Sequence, residues 1–492
     1  MADRRTILLF VVACLATCGC RSTRQMRDRE YAQVIQSVQQ ANYSPVPAAM
    51  AVAPIAPDLE GPQEVDWLIQ IALDQNPEVQ AARKRIDAAA HQVPVAASLP
   101  DPMLGVTSFP APVQTAAGNQ ELSLSLSQKL PFYKKLQTAS SAAESHTNVA
   151  RAQLAAVELA TIQKVRNAYY ELYFIQQAID VTKIEQQELA RIRDAANARY
   201  KATLTSQQDV LRAEVELSNT DNELIRFRQQ LASAQARLAR VLHVSPQTKL
   251  RAVDKLSPEQ APDDLARLEE RAVTARPELH AQLAALSRDR QKAQLARLDY
   301  VPDLTLGATW IDVSNSGISP IRNGDDAVLI TAGINVPLYR KRIDSSVKSI
   351  EAQAVATARE YDALKDGTLE QVADLFAQAQ SQQDMLMLLR EDILPKSRQT
   401  YEVSSSAYSV GQVDFLQLID NFRELLRFEL SYFRLEASLR QTLAELERVI
   451  GGQLPATMEN IAVPDLPAPN LEQKQVPEEI DPSLETIRLP PP

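Results

Sequence analysis

The sequence predicts a mainly helical protein with a small β part, made of two similar halves that each form helix, hairpin, very long helix and helix. Short motifs recur about 200 positions apart along the chain. Only 12 of the 492 residues are glycine, and Ala, Leu, Gln, Glu and Arg dominate, which is typical of long helices and coiled coils. Residues 137–200 contain neither glycine nor proline, so nothing in this stretch interrupts a helix.

Four motifs occur twice, in the same order. The first copies are Asn76-Pro77-Glu78, Pro102, Leu130-Pro131-Phe132-Tyr133-Lys134-Lys135 and Tyr200-Lys201-Ala202-Thr203, and the second copies are Arg276-Pro277-Glu278, Pro302, Val336-Pro337-Leu338-Tyr339-Arg340-Lys341 and Tyr408-Ser409-Val410-Gly411. This period is far longer than the roughly 20–50 residues of solenoid repeats. We therefore expect two homologous halves, at 64–243 and 263–450, joined by a Pro-containing connector at 244–262.

The first residues of the chain predict a targeting segment. Arg4 and Arg5 supply a basic start, and residues 7–15 form an apolar core that is too short to span a bilayer. All three cysteines lie in or just after this core. The exported protein would keep few thiols, so no disulfide framework is expected.

The last cysteine marks the expected processing site. Gly19-Cys20 resembles the end of a lipoprotein signal peptide, in which the cysteine becomes the lipidated first residue. We expect removal of residues 1–19 and lipidation of Cys20, with Cys18 as the alternative site. The polar, Pro-containing residues 20–63 would then tether the folded part to the lipid anchor.

Two alternating segments in the first half predict a β-hairpin. In Leu122-Ser123-Leu124-Ser125-Leu126-Ser127 strict alternation places every leucine on one face of the strand and every serine on the other. The loop between the strands contains Pro110, Pro112 and Gly118. The predicted elements of this half are a helix at 64–100, strands at 103–109 and 120–130, and helices at 137–200 and 206–243.

The helices of this half are too long for a globular core. Residues 137–200 would form a helix of about 96 Å at about 1.5 Å per residue. Apolar residues recur every seven positions from Val210 to Leu238. This heptad pattern predicts that the helix at 206–243 packs lengthwise on others with left-handed coiling.

The second half repeats the plan. Its first strand contains the alternating run from Leu304 to Trp310, and its second strand places Ile330, Ala332 and Ile334 on one face. The predicted elements are a helix at 263–300, strands at 303–312 and 327–337, a long helix at 342–408 disturbed at Pro395, and a helix at 412–450. Residues 451–492 are rich in Pro and Glu, which predicts a disordered tail.

Four strands cannot close a membrane barrel alone, because single-chain barrels begin at about eight strands. No later run is apolar enough for a transmembrane helix, so a membrane crossing would require a barrel shared by several chains. Its serine and threonine face would line a wet interior, and the lipid-facing residues would be Leu122, Leu124, Leu126, Leu304, Leu306 and Trp310. Alternatively, the strands form a soluble cap whose leucine face packs on the helices.

Nothing in the sequence indicates an enzyme, a cofactor or a metal site. The four histidines are scattered without ligand spacing, and the chain has no glycine-rich phosphate loop. Met385 and Met387 fit helix packing better than ligation of a soft metal. The net charge is −10 with acids and bases interleaved, so we expect no nucleic-acid partner.

Over residues 64–450 the chain resembles the TolC family of outer-membrane efflux ducts, since the four duplicated motifs stand in the family's order on the expected elements. The resemblance implies a homotrimer, with a twelve-stranded β-barrel in the outer membrane and a long α-helical barrel in the periplasm. The implied function is a passive exit duct of a tripartite efflux system. It would receive small molecules or metal cations from a periplasmic adaptor protein and an inner-membrane pump.

The stretch from Ile393 through Asp420 looks most like the family's ducts that are paired with heavy-metal cation pumps. The lengths of 206–243 and 263–300 fit two half-length helices that meet end to end beside a full-length one. The sequence leaves open the exported compound, the pump class and the open or closed state. It also leaves open a different function, that of a lipid-tethered periplasmic coiled-coil scaffold without a pore.

The resemblance also implies which residues act at the periplasmic end. The adaptor-contact tips would be Tyr200, Thr203, Tyr408 and Gly411, and the pore gate would be Asp420, with Asp414 and Asp209 as weaker candidates. Asp420 matches a position in the family's ring of aspartates, which three-fold symmetry would turn into a narrow ring of like charges. Thr203 stands where the family usually has glycine, the residue that best adopts positive φ.

Overall fold

The computed structural model describes residues 31, 59, 61–257 and 259–454. The predicted signal peptide, the lipidation site Cys20, most of the tether at 20–63 and the predicted tail beyond Leu454 lie outside the described residues. The last residues of the predicted tether belong to the fold, because Leu59 is buried and residues 62–63 pair with the connector.

The described elements follow one another in two similar series. The first series is β1 (Pro62–Gln63), α1 (Val65–Gln75), α2 (Pro77–Ala97), β2 (Met103–Thr115), β3 (Gly118–Leu130), α3 (Tyr133–Lys201) and α4 (Gln207–Leu242). The second series is β4 (Arg251–Ala252), α5 (Leu265–Ala275), α6 (Pro277–Arg297), β5 (Leu304–Val313), β6 (Ala327–Ile334), α7 (Arg340–Leu388), α8 (Leu394–Ser409) and α9 (Phe415–Val449). None of the described helices is long and apolar enough to cross a membrane.

Each predicted helix at the start of a half is in fact two helices, so the single helices predicted at 64–100 and 263–300 are wrong. The breaks fall at Asn76 and Arg276, which have extended backbones with ψ of 124° and 119°. Both residues precede a proline, whose ring disfavours the helical conformation of the residue before it. Pro77 and Pro277 then occupy the first turn of the next helix, where the missing N–H costs nothing.

The short helices stack in a different order from the one expected. The sequence predicted that 206–243 and 263–300 meet end to end, but the end of α4 meets the start of α2 instead. Asn76 donates from Nδ2 to the carbonyl of Val241 at 2.8 Å. At the equivalent place in the second half, α9 meets α6, where Arg448 lies 3.3 Å from Glu278. Each half thus builds one composite helix from two short ones.

The sheet is antiparallel with the order β2-β3-β5-β6, so β2 and β6 are its edges. Strand β2 runs on to Thr115 rather than ending near 109, and Pro110 and Pro112 lie in the strand instead of the loop. Proline is tolerated there because both prolines lie between Ser108 and Val113, where the register with β3 shifts.

The long helix predicted at 342–408 is interrupted slightly before the expected place. Helix α7 ends at Leu388, and a π-helical turn at Leu389–Ile393 leads into α8. Pro395 has no N–H to donate to the preceding turn, and a π-turn is a common way for a helix to absorb such a defect.

Three apolar clusters hold the helices together. The largest surrounds the middle of α3, where Tyr169 donates to the carbonyl of Gln63 at 2.9 Å and accepts from the N–H of Val253 at 3.1 Å. This one hydroxyl ties the strands β1 and β4 to the long helix. The second cluster joins α5, α7 and α9, and the third lies near the ends of α3 and α8.

We expect Asn76→Ala to lower the free energy of unfolding by about 1–3 kcal/mol. The change removes the hydrogen bond to Val241 and leaves the buried carbonyl of Val241 without this donor. The Asn76 side chain serves two helices, since it also accepts from the N–H of Glu78 at 2.8 Å. Thermal unfolding followed by circular dichroism measures the effect. Asn222→Ala, at an exposed position of α4, is the control. Equal melting temperatures for the two variants would contradict the role of Asn76.

Candidate functional site

The molecule has two functional ends separated by its long helices. Helix α3 has 69 residues, which corresponds to about 100 Å at about 1.5 Å per residue. The four-stranded sheet lies at its N-terminal end, and the turns at 202–206 and 410–414 lie at the other. The sheet and the turns are therefore too far apart to form one site, and the helices are what connects them.

At the sheet, the strand register places all six predicted lipid-facing residues on one face. Leu124 of β3 lies opposite Val106 of β2 and Trp310 of β5, and directly opposed residues share a face. This face carries the apolar residues Leu104, Val106, Leu122, Leu124, Leu126, Leu130, Leu304, Leu306, Ala308, Trp310, Val328, Ile330, Ala332 and Ile334. The polar residues Ser108, Gln128 and Asp312 lie on the same face, towards its two ends. The opposite face carries Thr107, Ser123, Ser125, Ser127, Thr305, Gly307, Thr309 and Thr331.

The apolar face is open in the single chain. Ile330 is 86% exposed, and Leu104, Val106, Leu126 and Val328 are also exposed. A continuous apolar surface of this kind marks a contact with lipid or with another apolar surface. The soluble-cap alternative requires these side chains to be buried against the helices, which they are not.

At the other end, the two turns have the same backbone geometry. Thr203 has φ of 59° and Gly411 has φ of 80°. Leu204 donates to the carbonyl of Arg199 at 2.9 Å, and Gln412 donates to the carbonyl of Ala407 at 2.9 Å. Thr203 therefore adopts the conformation for which glycine is best suited, at a steric cost of about 1–2 kcal/mol.

The four predicted adaptor-contact residues are not equivalent. Tyr200, Thr203 and Gly411 are exposed, whereas Tyr408 is only 3% exposed. The ring of Tyr408 packs edge-on to Phe415, with 5.9 Å between centroids. The assignment of Tyr408 as a contact residue is therefore corrected, because its side chain is part of the core of the tip.

Arg199 joins the two turns and was not predicted. Its Nη1 donates to the carbonyls of Tyr408 at 2.7 Å and Ser409 at 3.1 Å, and its guanidinium lies 5.0 Å from the centre of the Tyr408 ring. It thereby satisfies carbonyls at the end of α8 that have no partner within the helix. The sequence signal was a basic residue in the last turn of a long helix, but its acceptors lie about 210 positions away.

The three gate candidates have different surroundings. Asp414 caps helix α9 and accepts from the N–H of Gln417 at 2.9 Å. Asp209 is half-buried and accepts from the hydroxyl of Thr205. Asp420 is 68% exposed and lies 3.5 Å from Arg423.

Asp209 and Asp414 share a cleft between the two turns, and Asp420 lies outside it. The cleft has a volume of about 460 Å³ and also contains Arg199 and Arg212. Next to Asp420, Arg423 of α9 pairs with Glu216 of α4. This second link between the two helical hairpins was also missed, because nothing local in the sequence pairs these positions.

A buried carboxyl lies above the tip, between two of the apolar clusters. Glu185 is 9% exposed, and Thr182 and Thr220 are buried near it. Among the described residues its Oε2 has no hydrogen-bond partner. Burial, with a smaller effect of Glu223, raises the pKa of Glu185 to about 8. Burial thus favours the neutral form of this side chain, which suits its place in the helical seam.

Comparisons with known proteins identify relatives along most of the chain. The family described as outer membrane efflux protein matches residues 68–242 and 268–452. The pyoverdine export outer membrane protein OpmQ of Pseudomonas putida is 21% identical over 79% of this chain and 86% of its own length. The cobalt-zinc-cadmium resistance protein CzcC of Cupriavidus metallidurans is 22% identical over 82% of this chain and 93% of its own length.

Solved structures share the fold. The outer membrane protein VceC of Vibrio cholerae has a TM-score of 0.66 at 20% identity, over 79% of this chain and 96% of that one. The outer membrane channel CmeC of Campylobacter jejuni has a TM-score of 0.66 at 14% identity, over 80% of this chain and 87% of that one. The likeness confirms a mainly helical protein with the architecture of these channels.

We expect the stability of the Glu185→Gln variant, relative to wild type, to increase as the pH rises. The carboxyl has an ordinary pKa near 4.5 and a folded pKa of about 8, so between these values the folded state binds more protons than the unfolded state. Stability is therefore lost as the pH rises through this window, by about 1.4 kcal/mol for each pH unit at most. Glutamine stays neutral and avoids the loss.

Melting temperatures of wild type and variant between pH 5 and pH 8.5 measure this effect. The two proteins should be nearly equal at pH 5, and the variant should melt higher at pH 8.5. Glu214→Gln, at an exposed position of α4, is the control and should show no such trend. A constant difference between Glu185→Gln and wild type at every pH would show that the carboxyl is ionised throughout.

Proposed function

This chain belongs to the outer membrane efflux protein family, and from that premise we propose that it is the outer-membrane exit duct of a tripartite efflux system. It is a passive conduit that receives small molecules or metal cations from a periplasmic adaptor and an inner-membrane pump. The observation that carries this function is the sheet, which has one apolar face, one polar face and two unpaired edges.

The unpaired edges support a shared barrel. Within the described ranges, strand β2 pairs only with β3, and β6 only with β5. Unsatisfied strand edges are not tolerated in lipid, so each edge needs a partner from another chain. Three chains joined from β6 to β2 make a closed barrel of twelve antiparallel strands. The apolar face then meets lipid, and the serine and threonine face lines the water-filled interior.

The two series of elements support an origin by duplication. Helices α1 and α5 have 11 residues each, and α2 and α6 have 21 residues each. The two tip turns also have the same pattern of backbone hydrogen bonds. We take 64–243 and 263–450 as two copies of one unit. In a trimer the six units give the helical tunnel a pseudo-six-fold arrangement, which suits a conduit better than a scaffold.

A lipid on Cys20 would hold the mature chain to the outer membrane from the periplasmic side. Its support is the order of basic residues, apolar core and Gly19-Cys20 at the start of the sequence. Metabolic labelling with a fatty-acid analogue should mark wild type and not Cys20→Ser. Full labelling of Cys20→Ser would move the site to Cys18.

The turns at 202–206 and 410–414 form the periplasmic tip, where the duct closes and meets the adaptor. Tyr200, Thr203 and Gly411 are available there for contact. The links from Arg199 to α8 and from Arg423 to Glu216 hold the two hairpins together in the state described here. Asp420 beside the second link is the proposed constriction. Its three copies would form a ring of negative charge.

The relatives' names point to different cargoes. One is a pyoverdine exporter and the other a cobalt, zinc and cadmium resistance protein, at 21% and 22% identity. Neither identity is high enough to prefer one cargo, so the proposed function covers the duct and its direction of transport.

Leu124→Arg should reduce the amount of protein in the outer-membrane fraction, because arginine near the bilayer midplane costs about 2–4 kcal/mol. Ser125→Arg is the matched control. Ser125 is the next residue on the opposite face, beside Gly105, where a long side chain can extend into the interior. Equal loss, or equal tolerance, of the two variants would exclude a membrane position for this sheet.

Asp420→Ala should raise the conductance of the purified protein in a planar lipid bilayer and weaken block by multivalent cations. The change removes three charges from one narrow ring. Asp194→Ala on α3 is the control, because Asp194 has the same 68% side-chain exposure on another helix. Unchanged conductance and block in Asp420→Ala would place the gate elsewhere.

A further inference from the structure

Both long helices begin with the same combination of residues, an aromatic side chain followed by basic ones. Tyr133 and Lys134 open α3, and Tyr339 is followed by Arg340, Lys341 and Arg342 in the first turn of α7. We name these six residues the collar. The duct function as proposed assigns no role to them.

The two parts of the collar lie at the same end of the sheet. Leu130, the last residue of β3, is opposite Leu304, and Leu304 is opposite Ile334, the last residue of β6. The two helices therefore leave the sheet side by side, separated by one strand, or about 10 Å. In a trimer this arrangement would occur three times around the barrel.

The aromatic residues of the collar are open to solvent in the single chain. Tyr339 is 79% exposed, and Tyr133 and the neighbouring Leu338 are also exposed. They follow shortly after the ends of β3 and β6 in the chain. Tyrosine at the border of a membrane places its apolar ring near the acyl chains and its hydroxyl among the headgroups.

The basic side chains of the collar make no ion pair with the part of the chain that the structure describes. Lys134, Arg340, Lys341 and Arg342 are exposed, and no described carboxylate lies within ion-pair distance of them. The nearby acid Asp303 is already held by Lys129 at 3.1 Å and Lys135 at 2.7 Å. The four charges are therefore available to an outside anion.

These charges are not explained by helix stability. Neither α3 nor α7 has an acidic residue in its first turn, although the positive end of the helix dipole favours acids there. The basic side chains and the positive ends of the two helix dipoles together make this level of the molecule electropositive. Such a surface matches phosphate, which arginine and lysine bind well.

We propose, on the premise of the membrane-spanning sheet, that the collar binds the phosphate headgroups of anionic phospholipids in the periplasmic leaflet of the outer membrane. The tyrosine rings lie at the headgroup level, and the four basic side chains contact phosphate. The collar thereby fixes the depth of the barrel and makes anionic phospholipid a specific partner of the duct. Each basic residue near an anionic surface contributes about a fivefold preference.

The test compares phospholipids retained by the full-length protein after reconstitution and re-extraction. Purified wild type is reconstituted into vesicles of equal parts phosphatidylcholine and phosphatidylglycerol, and native mass spectrometry counts the lipids that remain bound. We expect wild type to retain phosphatidylglycerol at least about tenfold over phosphatidylcholine. The variant K134Q/R340Q/K341Q/R342Q should show no preference, and R340Q/K341Q/R342Q an intermediate one.

The matched control is K201Q/R228Q/R237Q/K249Q, which removes two lysines and two arginines from exposed positions far from the sheet. It should keep the wild-type preference. A preference that survives in the collar variant, or is absent from wild type, would overturn the role of the collar.

Insertion itself is measured separately, by flotation with vesicles of phosphatidylcholine alone. Wild type and the collar variant should both float, because the apolar face of the sheet is unchanged. Flotation without a phosphatidylglycerol preference would reject the collar and leave the duct intact. Failure of wild type to float would reject the membrane-spanning sheet, and the collar with it.

Discussion

The hydrogen bonds that the edge strands cannot make within one chain are the constraint on which the rest of the structure depends. Strands β2 and β6 each have one unpaired side, and the sheet between them carries an open apolar face. Water could satisfy the edges but not the face, and lipid could satisfy the face but not the edges. The proposed association of chains inside a membrane would satisfy both.

The arrangement of the helices depends on how the strands pair. Each strand pair leads directly into a long helix, so the proposed closed ring of strands would impose a ring of helices below it. Asn76 and Arg276 break the shorter helices before a proline, and the pieces restack into composite helices that flank the long ones. At the far end, the polar links of Arg199 and Arg423 join the hairpins beside the third apolar cluster.

The sequence predicted those features that depend on near neighbours. Alternation from Leu122 to Ser127 identified the faces of the sheet, and the run without proline or glycine identified α3. The break before Pro77 was readable from the proline rule but was missed, because the surrounding pattern is helical throughout. The link from Asn76 to Val241 and the one from Arg199 to Tyr408 join residues far apart in the chain. No local pattern encodes such contacts, so the order of helix stacking and the core position of Tyr408 required the structure.

Disulfide crosslinking shows whether neighbouring copies pair through β2 and β6. Cysteine at Val106 on β2 would be combined in turn with cysteine at Val328, Ile330 or Ala332 on β6, all on the apolar face. In intact membranes at least one combination should give a covalent trimer on a non-reducing gel, and the single variants should stay monomeric. If no combination crosslinks while each cysteine remains reactive, the edges do not meet and the chain does not form the duct described here.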